Sequence, residues 1–297
     1  MPCVLCPASA SETVLTTEKE ISGRLVAFRL ERCASCGLVR AEPRLEEDVL
    51  AAAYPRRYFG SAKDRDADWL QRDQAPRTCF VARHLDRGRV LDVGCGLGLF
   101  LSALDPERFD VCGLEPMAAP HAAAAARLGH DRVVHGDLDA APWADGTFDA
   151  ITMWDVLEHT SDPRAALGTI HRLLRPGGVL LLTVPNFGGW QARRFGEDWY
   201  ALSLPHHLWH MTADALTRLL GAAGFALLSL EDRAGREDRH ALRHSRRAQL
   251  RRRFGGRFGT ALYYVMRPTL RPWAWLTSRV GGGSRLTVAA RRLEVGP

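Results

Sequence analysis

The stretch Val90-Leu-Asp-Val-Gly-Cys-Gly-Leu-Gly-Leu-Phe100 ("VLDVGCGLGLF") runs from apolar residues through a single acid, Asp92, into glycines at 94, 96 and 98. Glycine adopts positive φ at little cost and lets a ligand approach the backbone, so this spacing predicts a tight strand-to-helix turn beneath a nucleotide-like ligand. The dinucleotide fingerprint G-x-G-x-x-G would require glycine at position 99, where Leu99 stands, and an NAD site is therefore disfavoured.

Around this turn the pattern alternates strand and helix. RVLDVG is followed by LFLSAL, FDVCGLE by HAAAAARLG, then come DRVVHGD, FDAITMWD with PRAALGTIHRLL, and GVLLLTVPN. The helix TADALTRLLGAAG leads to FALLSLEDR, and RLTVAARR closes the series. Near-continuous apolar strands interleaved with helices predict an α/β fold, a doubly wound sheet covered on both faces.

Two further acids fall at strand ends. Glu115 lies 23 positions after Asp92, where a carboxylate can accept hydrogen bonds from both ribose hydroxyls. Asp137, in "HGDLD", sits at a rim where an adenine amino group could be read. Three acids at three consecutive carboxyl ends of strands make one crevice; each taken singly also suits the capping of the helix that follows it.

The segments "VLDVGCGLGLF", "GLEP", "GDLDAAPWADGTFDAITMWDVLEH", "LLRPGGVLLLTVPN" and "PHHLWHMT" resemble, in order, the motifs of class I S-adenosylmethionine (SAM)-dependent methyltransferases. The resemblance covers roughly residues 88–232 and 285–292. It implies a Rossmann-like, seven-stranded, doubly wound sheet with the last strand antiparallel. It also implies that Asp92, Gly94, Cys95 and Gly96 hold the methionine end of SAM. Glu115, with Pro116 beside it, would take the ribose, Asp137 and Leu138 the adenine, and Met153 and Trp154 would wall the methyl side. A sulfonium methyl is already activated, so the protein's share of the chemistry is positioning and deprotonation of the acceptor.

Two clusters are candidates for that deprotonation. Asp155-Val-Leu-Glu-His159 places two carboxylates three residues apart with an imidazole next to the second. It is similar to the acidic loop of ubiquinone-pathway O-methyltransferases, which implies a divalent cation at Asp155, Glu158 and His159, Mg²⁺ or Mn²⁺ by ligand type. The competing expectation is that Glu158 and His159 cap the following helix or bond the backbone. Pro205-His-His-Leu-Trp-His210 supplies imidazoles able to accept a proton near neutral pH. The chain also resembles zinc-bearing sugar C-methyltransferases, where histidines at positions matching His207 and His159 are implied in proton transfer. His206 stands where some of those relatives have an acid. His207, His159 and Glu158 form the candidate catalytic set, with a packed lid tied down by His207 and His210 as the alternative.

Seven cysteines include Cys3-x-x-Cys6 and Cys33-x-x-Cys36, separated by 26 residues. Two such knuckles predict a four-thiolate, structural Zn²⁺ site in a β-rich, zinc-ribbon-like knob over residues 1–40. A charged, mostly helical linker or lid over 41–87 follows, broken at Pro43, Pro55 and Pro76. The methyltransferase domain would then occupy 88–297, with an insertion over 233–284. The sugar C-methyltransferases continue into a large C-terminal domain without counterpart here, which ranks C-methylation of a nucleotide-linked sugar behind O-methylation.

The 297 residues are 46% hydrophobic, enough for a large core. No secretory leader is readable and no run reaches the ~18 apolar residues of a membrane span, so the expected address is the cytoplasm. The formal charge of +6 equals the excess of ten arginines over four acids within 231–257. Arg243, Arg246, Arg247 and Arg251 can share a helical face beside His240 and His244. The aromatics that follow, Tyr263, Tyr264, Trp273 and Trp275, interleave with Arg267 and Arg271 as in segments lying on an anionic membrane. A solvated helix and an RNA-binding arm are the other readings. An N-P-P-Y-type motif for exocyclic amines is absent, Met153-Trp-Asp155 standing in its place, which disfavours RNA or DNA amine methylation and leaves ribose methylation or non-catalytic binding open. The expected function is methylation of a small-molecule, glycan or lipid-like acceptor. An RNA-binding or RNA-modifying protein is the alternative from another class.

Overall fold

The computed structural model describes residues 3–7, 10–46, 49–50, 67–232, 236–269 and 282–294. Arg271, Trp273 and Trp275 lie outside the described residues.

The chain begins with an antiparallel meander, β1 (Ser11–Ile21), β2 (Arg24–Cys33) and β3 (Val39–Glu42). Ser22 and Gly23 join the first two strands with φ of 50° and 79°, the double positive φ that matches a two-residue turn to the strand twist. Helix α1 (Ala67–Ala82) follows, and then the alternating elements: β4 (Gly88–Val93), α2 (Leu99–Ser102), β5 (Phe109–Glu115), α3 (Ala118–Leu128), β6 (Val133–His135), β7 (Phe148–Trp154), α4 (Pro163–Leu173) and β8 (Leu174–Pro185). The chain continues through α5 (Trp190–Phe195), β9 (Trp209–His210), α6 (Ala213–Ala222), β10 (Phe225–Glu231), α7 (Arg236–Phe254), α8 (Gly256–Met266) and β11 (Arg285–Arg292).

The main sheet has seven strands in the order β10-β11-β8-β7-β4-β5-β6. Strands β8, β7, β4, β5 and β6 pair in parallel, and β11 runs antiparallel to both β8 and β10. This is the doubly wound sheet with an antiparallel last strand that the motif order implied.

Side chains alternate across a strand with period two, so each buried strand feeds two cores. Leu91, Ile151, Met153, Leu180 and Leu182 pack on one face with Leu167, Ile170 and Leu173 of α4 and Leu216, Leu219 and Leu220 of α6. Val90, Ala150 and Leu181 pack on the other with Phe100, Leu101, Ala124, Ala125, Phe80 and Val81. Helix starts are chemically specified: Asp162 caps α4 by accepting from Arg164 and Ala165 N–H, with Pro163 at the first turn, and Thr212 accepts from Ala215 N–H at α6.

The N-terminal unit is not a separate knob ending at residue 40. Its sheet runs to Glu42 and takes a fourth strand from the far side of the chain, β9, through Val39↔His210 and Arg40↔Trp209. Leu5, Cys33, Cys36 and Leu38 share one core with Leu157, Leu208 and Trp209. Of the expected 41–87 linker, Val39–Glu42 supplies β3 and 67–82 form α1, while 51–66 lie outside the described residues. The insertion is a helical hairpin of α7 and α8. Gly259 makes it close, because a Cβ there would collide with the Leu250 carbonyl. No described helix is long and apolar enough to cross a membrane.

Candidate active site

The carboxyl ends of β4, β5 and β7 converge on the glycine turn. Gly94, Gly96 and Gly98 all have positive φ (70°, 56° and 71°), and the turn presses on the next loop: a Cβ at Gly94 would lie 2.7 Å from Val156 Cγ2. Glu115 is 4% exposed and its carboxylate is fixed from both sides, accepting from Gly96 N–H at 2.8 Å and from Met117 N–H at 2.9 Å. One acid thus ties the β4 turn to the start of α3. Burial raises its pKa, against the lowering effect of those two backbone donors.

Asp92 is 3% exposed and receives Thr152 Oγ1–H at 2.6 Å. Burial pushes its carboxyl up to about 7. Thr152 is one residue the sequence reading missed; the signal is the single hydroxyl inside the apolar "AITMW" of β7. Cys95 stacks its Sγ over Gly113, where a Cβ would lie 2.7 Å away, and burial raises its thiol, so its side chain is packing and its backbone forms the turn.

Asp137 uses Oδ1 to cap a short 3₁₀ turn, accepting from Asp139 N–H at 3.1 Å and Ala140 N–H at 3.3 Å, and Leu138 behind it is buried. The capping alternative therefore describes one of its oxygens. Pro116 places its carbonyl 3.0 Å from His135 Nε2. Met153 and Trp154 part company: the two-residue period sends Met153 into the α4/α6 core at 0% exposure, so its side chain cannot wall the crevice that Asp92 and Thr152 face. Trp154 stays on the crevice side, edge-on to Phe100 at 5.3 Å and beneath the Arg77 guanidinium at 5.5 Å. Its buried Nε1–H has no acceptor among the described residues.

Asp155 follows with φ 58°, a left-handed conformation that costs a non-glycine residue of order 1 kcal/mol. Its Oδ2 is held by Arg285 Nη1 at 3.2 Å and Arg77 Nη2 at 3.7 Å. Neither arginine was readable as a site residue, since both come from remote elements. The pairing also changes the candidate cation set. The groups within ligand distance of one another are Glu158, His159 and His207, each offering one ligand atom; Asp155 is not among them, its Oδ2 paired with the two guanidiniums and its buried Oδ1 without a hydrogen-bond partner among the described residues. A two-histidine, one-carboxylate set suits Zn²⁺, Fe²⁺ or Mn²⁺ better than the Mg²⁺ expected at Asp155, Glu158 and His159.

Glu158 is fully buried and neither carboxyl oxygen has a hydrogen-bond partner among the described residues; burial, then the nearby Asp155 charge, holds its pKa well above the usual carboxylate range. His159 Nδ1 bonds the His206 carbonyl at 3.0 Å and His207 Nδ1 bonds the Ala201 carbonyl at 2.9 Å. A carbonyl only accepts, so both rings carry their proton on Nδ1 and keep the Nε2 lone pair. The rings meet edge to face with centroids 4.6 Å apart. Burial lowers His159 to about 4 and takes His207 well below its usual value, so both are neutral at pH 7. His210 is deeper still, 1% exposed with both ring nitrogens unpartnered and its pKa lowered by burial to about 3.

The histidine loop is stitched to the Glu158 turn and to the cysteine unit. Leu208 N–H donates to the Glu158 carbonyl at 2.9 Å, Ala41 N–H donates to the Leu208 carbonyl at 2.9 Å, and Trp209 Nε1–H donates to the Thr160 carbonyl at 2.8 Å. At the other end of that unit, one ligand atom from each of Cys3, Cys6, Cys33 and Cys36 lies within 4.8 Å of the others. Cys3 and Cys36 Sγ are 3.4 Å apart and Cys6 and Cys33 Sγ 3.5 Å, and none of the four is in a disulfide. Four converging thiols on two C-x-x-C knuckles fit a tetrahedral Zn²⁺.

A doubly wound sheet with a glycine turn and anchored acids at its carboxyl edge defines a nucleotide-type binding domain of the class I methyltransferase architecture. The sequence profile of a methyltransferase domain matches residues 62–230. The chain belongs to that methyltransferase-domain family. It is 32% identical over 167 residues to a "probable S-adenosylmethionine-dependent methyltransferase" of Mycolicibacterium smegmatis, covering 56% of this chain and 62% of that protein. It is 38% identical over 119 residues to a ubiquinone biosynthesis O-methyltransferase of Xanthomonas oryzae pv. oryzae, covering 37% of this chain and 49% of the relative. The chain thus spans between about half and just over three fifths of the length of these two relatives. Among solved structures, the [4+2]-cyclase SpnF superposes with a TM-score of 0.52 at 25% identity, over 77% of this chain and 85% of that one. That a cyclase shares the architecture shows why function must be argued from the site.

Proposed function

We propose that this protein transfers the methyl group of SAM to a hydroxyl oxygen of a small metabolite, glycan or lipid-like acceptor, with His207 as the proton acceptor and His159 beside it. When bound, SAM supplies an electrophilic methyl group. Glu115 is the residue to hold its ribose hydroxyls, since the carboxylate is already locked in place by Gly96 and Met117 N–H. Asp92, Gly94 and Gly96 would line the methionine end, with Asp137 and Leu138 at the adenine.

The observation that carries the reading is the His159–His207 pair with Glu158. Two neutral imidazoles, each fixed as the Nδ1–H tautomer by a backbone carbonyl, keep their Nε2 lone pairs, and Val156, in the turn leading to them, packs against Gly94. His207 Nε2 takes the hydroxyl proton as the acceptor oxygen gains its methyl. Glu158, whose pKa burial raises well above the usual carboxylate range, lies within ligand distance of both rings.

The test is incubation with methyl-labelled SAM and a panel of phenol, sugar and lipid alcohols, with the methyl located by fragmentation mass spectrometry. Label on oxygen, lost in His207→Ala with SAM binding intact, is the expected result. Label on carbon would replace this reading by C-methylation, and label on nitrogen or nucleic acid would overturn it.

A further inference from the structure

None of the residues assigned above to SAM or to proton transfer lies on the α7–α8 hairpin, which carries an unusual charge distribution. Between Asp238 and Glu294 the sequence contains fourteen arginines and not one acid. Among the described residues of the hairpin, Arg252 forms ion pairs, with Asp198 at 2.7 Å and Glu197 at 3.1 Å, and anchors α7 to the domain. Arg246 lies close enough to Arg194 and Arg253 for their charges to lower its pKa after burial has done so. Its own hydrogen bonds go to Gln249 Oε1 and Met266 Sδ, which neutralise nothing.

The outer face of α8 is apolar where a solvated helix would be polar. Tyr263 turns inward, while Arg257, Phe258, Ala261, Tyr264 and Val265, spaced i, i+3/i+4, i+7, are all exposed. Phe258 is 65% exposed, Tyr264 55% and Val265 76%, and Phe254 at the end of α7 meets Phe258 edge to face at 6.3 Å. Gly259 brings α8 against α7 on the opposite side, and among the described residues this face is left exposed.

We infer that the hairpin docks the protein on an anionic phospholipid bilayer, with Phe254, Phe258, Tyr264 and Val265 entering the interface and Arg253, Arg257 and Arg267 engaging the headgroups. Both halves of the surface are needed for that occupant. Arginine gives attraction to anionic headgroups and lets its stem lie along the apolar boundary, and aromatic and aliphatic side chains gain from burial among acyl chains. A second copy of the chain would bring arginine against arginine with no described acid on α8 to meet it. An RNA partner would use the guanidiniums and could stack bases on the exposed rings, but would leave Val265, the most exposed apolar side chain of the face, without a role.

The full-length protein is to be sedimented with vesicles of phosphatidylcholine alone and of phosphatidylcholine with phosphatidylglycerol. Binding confined to the anionic vesicles, weakened by salt, is expected. The triple variant Phe258→Ser, Tyr264→Ser, Val265→Ser should lose it tenfold or more while titrating SAM as the wild type does. Arg253→Glu with Arg257→Glu, which leaves the apolar face intact, should lose it as well. No pelleting with anionic vesicles, or pelleting unchanged in the serine variant, overturns the inference. So does capture on an RNA homopolymer that survives the serine changes, or a two-chain mass in light scattering that those changes abolish.

Discussion

His159 and His207 face each other edge on at 4.6 Å, and each is oriented by a backbone carbonyl of the same loop, His206 O for the first and Ala201 O for the second. The pair is therefore one device held by the 201–210 loop, and its members should fail unequally. His207→Ala is expected to lower turnover by roughly 10²–10⁴, the usual share of a proton acceptor, and His159→Ala by less. SAM affinity measured by calorimetry should change by no more than about twofold in either, because neither ring touches the anchored Glu115.

Glu115 joins two segments through Gly96 and Met117, so its loss acts on the cradle itself. Glu115→Ala is expected to weaken SAM binding about 10- to 100-fold, the ~1.5–3 kcal/mol of hydrogen bonds to a charged group. Calorimetric titration checks this directly, and a variant binding within twofold of the wild type would remove Glu115 from the ribose site.

The Asp92 carboxyl depends on one side-chain donor. Thr152→Val keeps the shape and deletes the 2.6 Å hydrogen bond, leaving a buried acid with less support. The cost should be roughly 1–3 kcal/mol, read as a lower unfolding midpoint in urea at unchanged slope.

The cysteine unit and the histidine loop are joined by the pairing of β3 with β9, so a Zn²⁺ held by the four thiols would support the loop as well. Cys36→Ser, or treatment with a strong chelator, should remove one Zn²⁺ per chain by elemental analysis and lower the melting temperature. Turnover should fall with it, while SAM binding at the far end of the crevice persists. Full turnover in a protein shown to be zinc-free would uncouple the two.

The buried histidines also set a pH dependence. His159 and His210 have folded-state pKa values of about 4 and about 3, below their ordinary value, because burial penalises the imidazolium. From about 6.5 downwards the unfolded chain binds protons that the folded chain refuses, so stability falls as pH falls through that window and levels off only near pH 4 to 3. Each such proton contributes roughly 1.4 kcal/mol per pH unit. Asp92, Glu115 and Glu158, raised by burial, act in the opposite sense over the same window, so the histidine share is read by difference: the wild type should lose stability relative to His210→Asn as pH falls from 7 to 5.

Much of the fold was legible because its signals are local. The alternating apolar strands, the glycines at 94, 96 and 98, and the acids ending β4 and β5 each declare themselves within a few residues. The two cysteine knuckles did so as well. What escaped was set by tertiary pairing. Nothing near Asp155 in the chain announces Arg77 and Arg285, so its carboxylate looked free for a cation. Nothing in "HLWH" announces that Trp209 and His210 form a strand against β3, because two residues are too short for a period to show. Met153 was assigned to the crevice by its place at a strand end, and the parity of β7 sends it the other way.

The central claim is that the crevice formed by the glycine turn and Glu115 holds SAM. Isothermal titration of the purified chain with SAM and, separately, with NADH tests it. Saturable one-to-one heat with SAM, weakened about 10- to 100-fold in Glu115→Ala, and none with NADH is the expected result; silence with SAM alongside a normal NADH isotherm would contradict it.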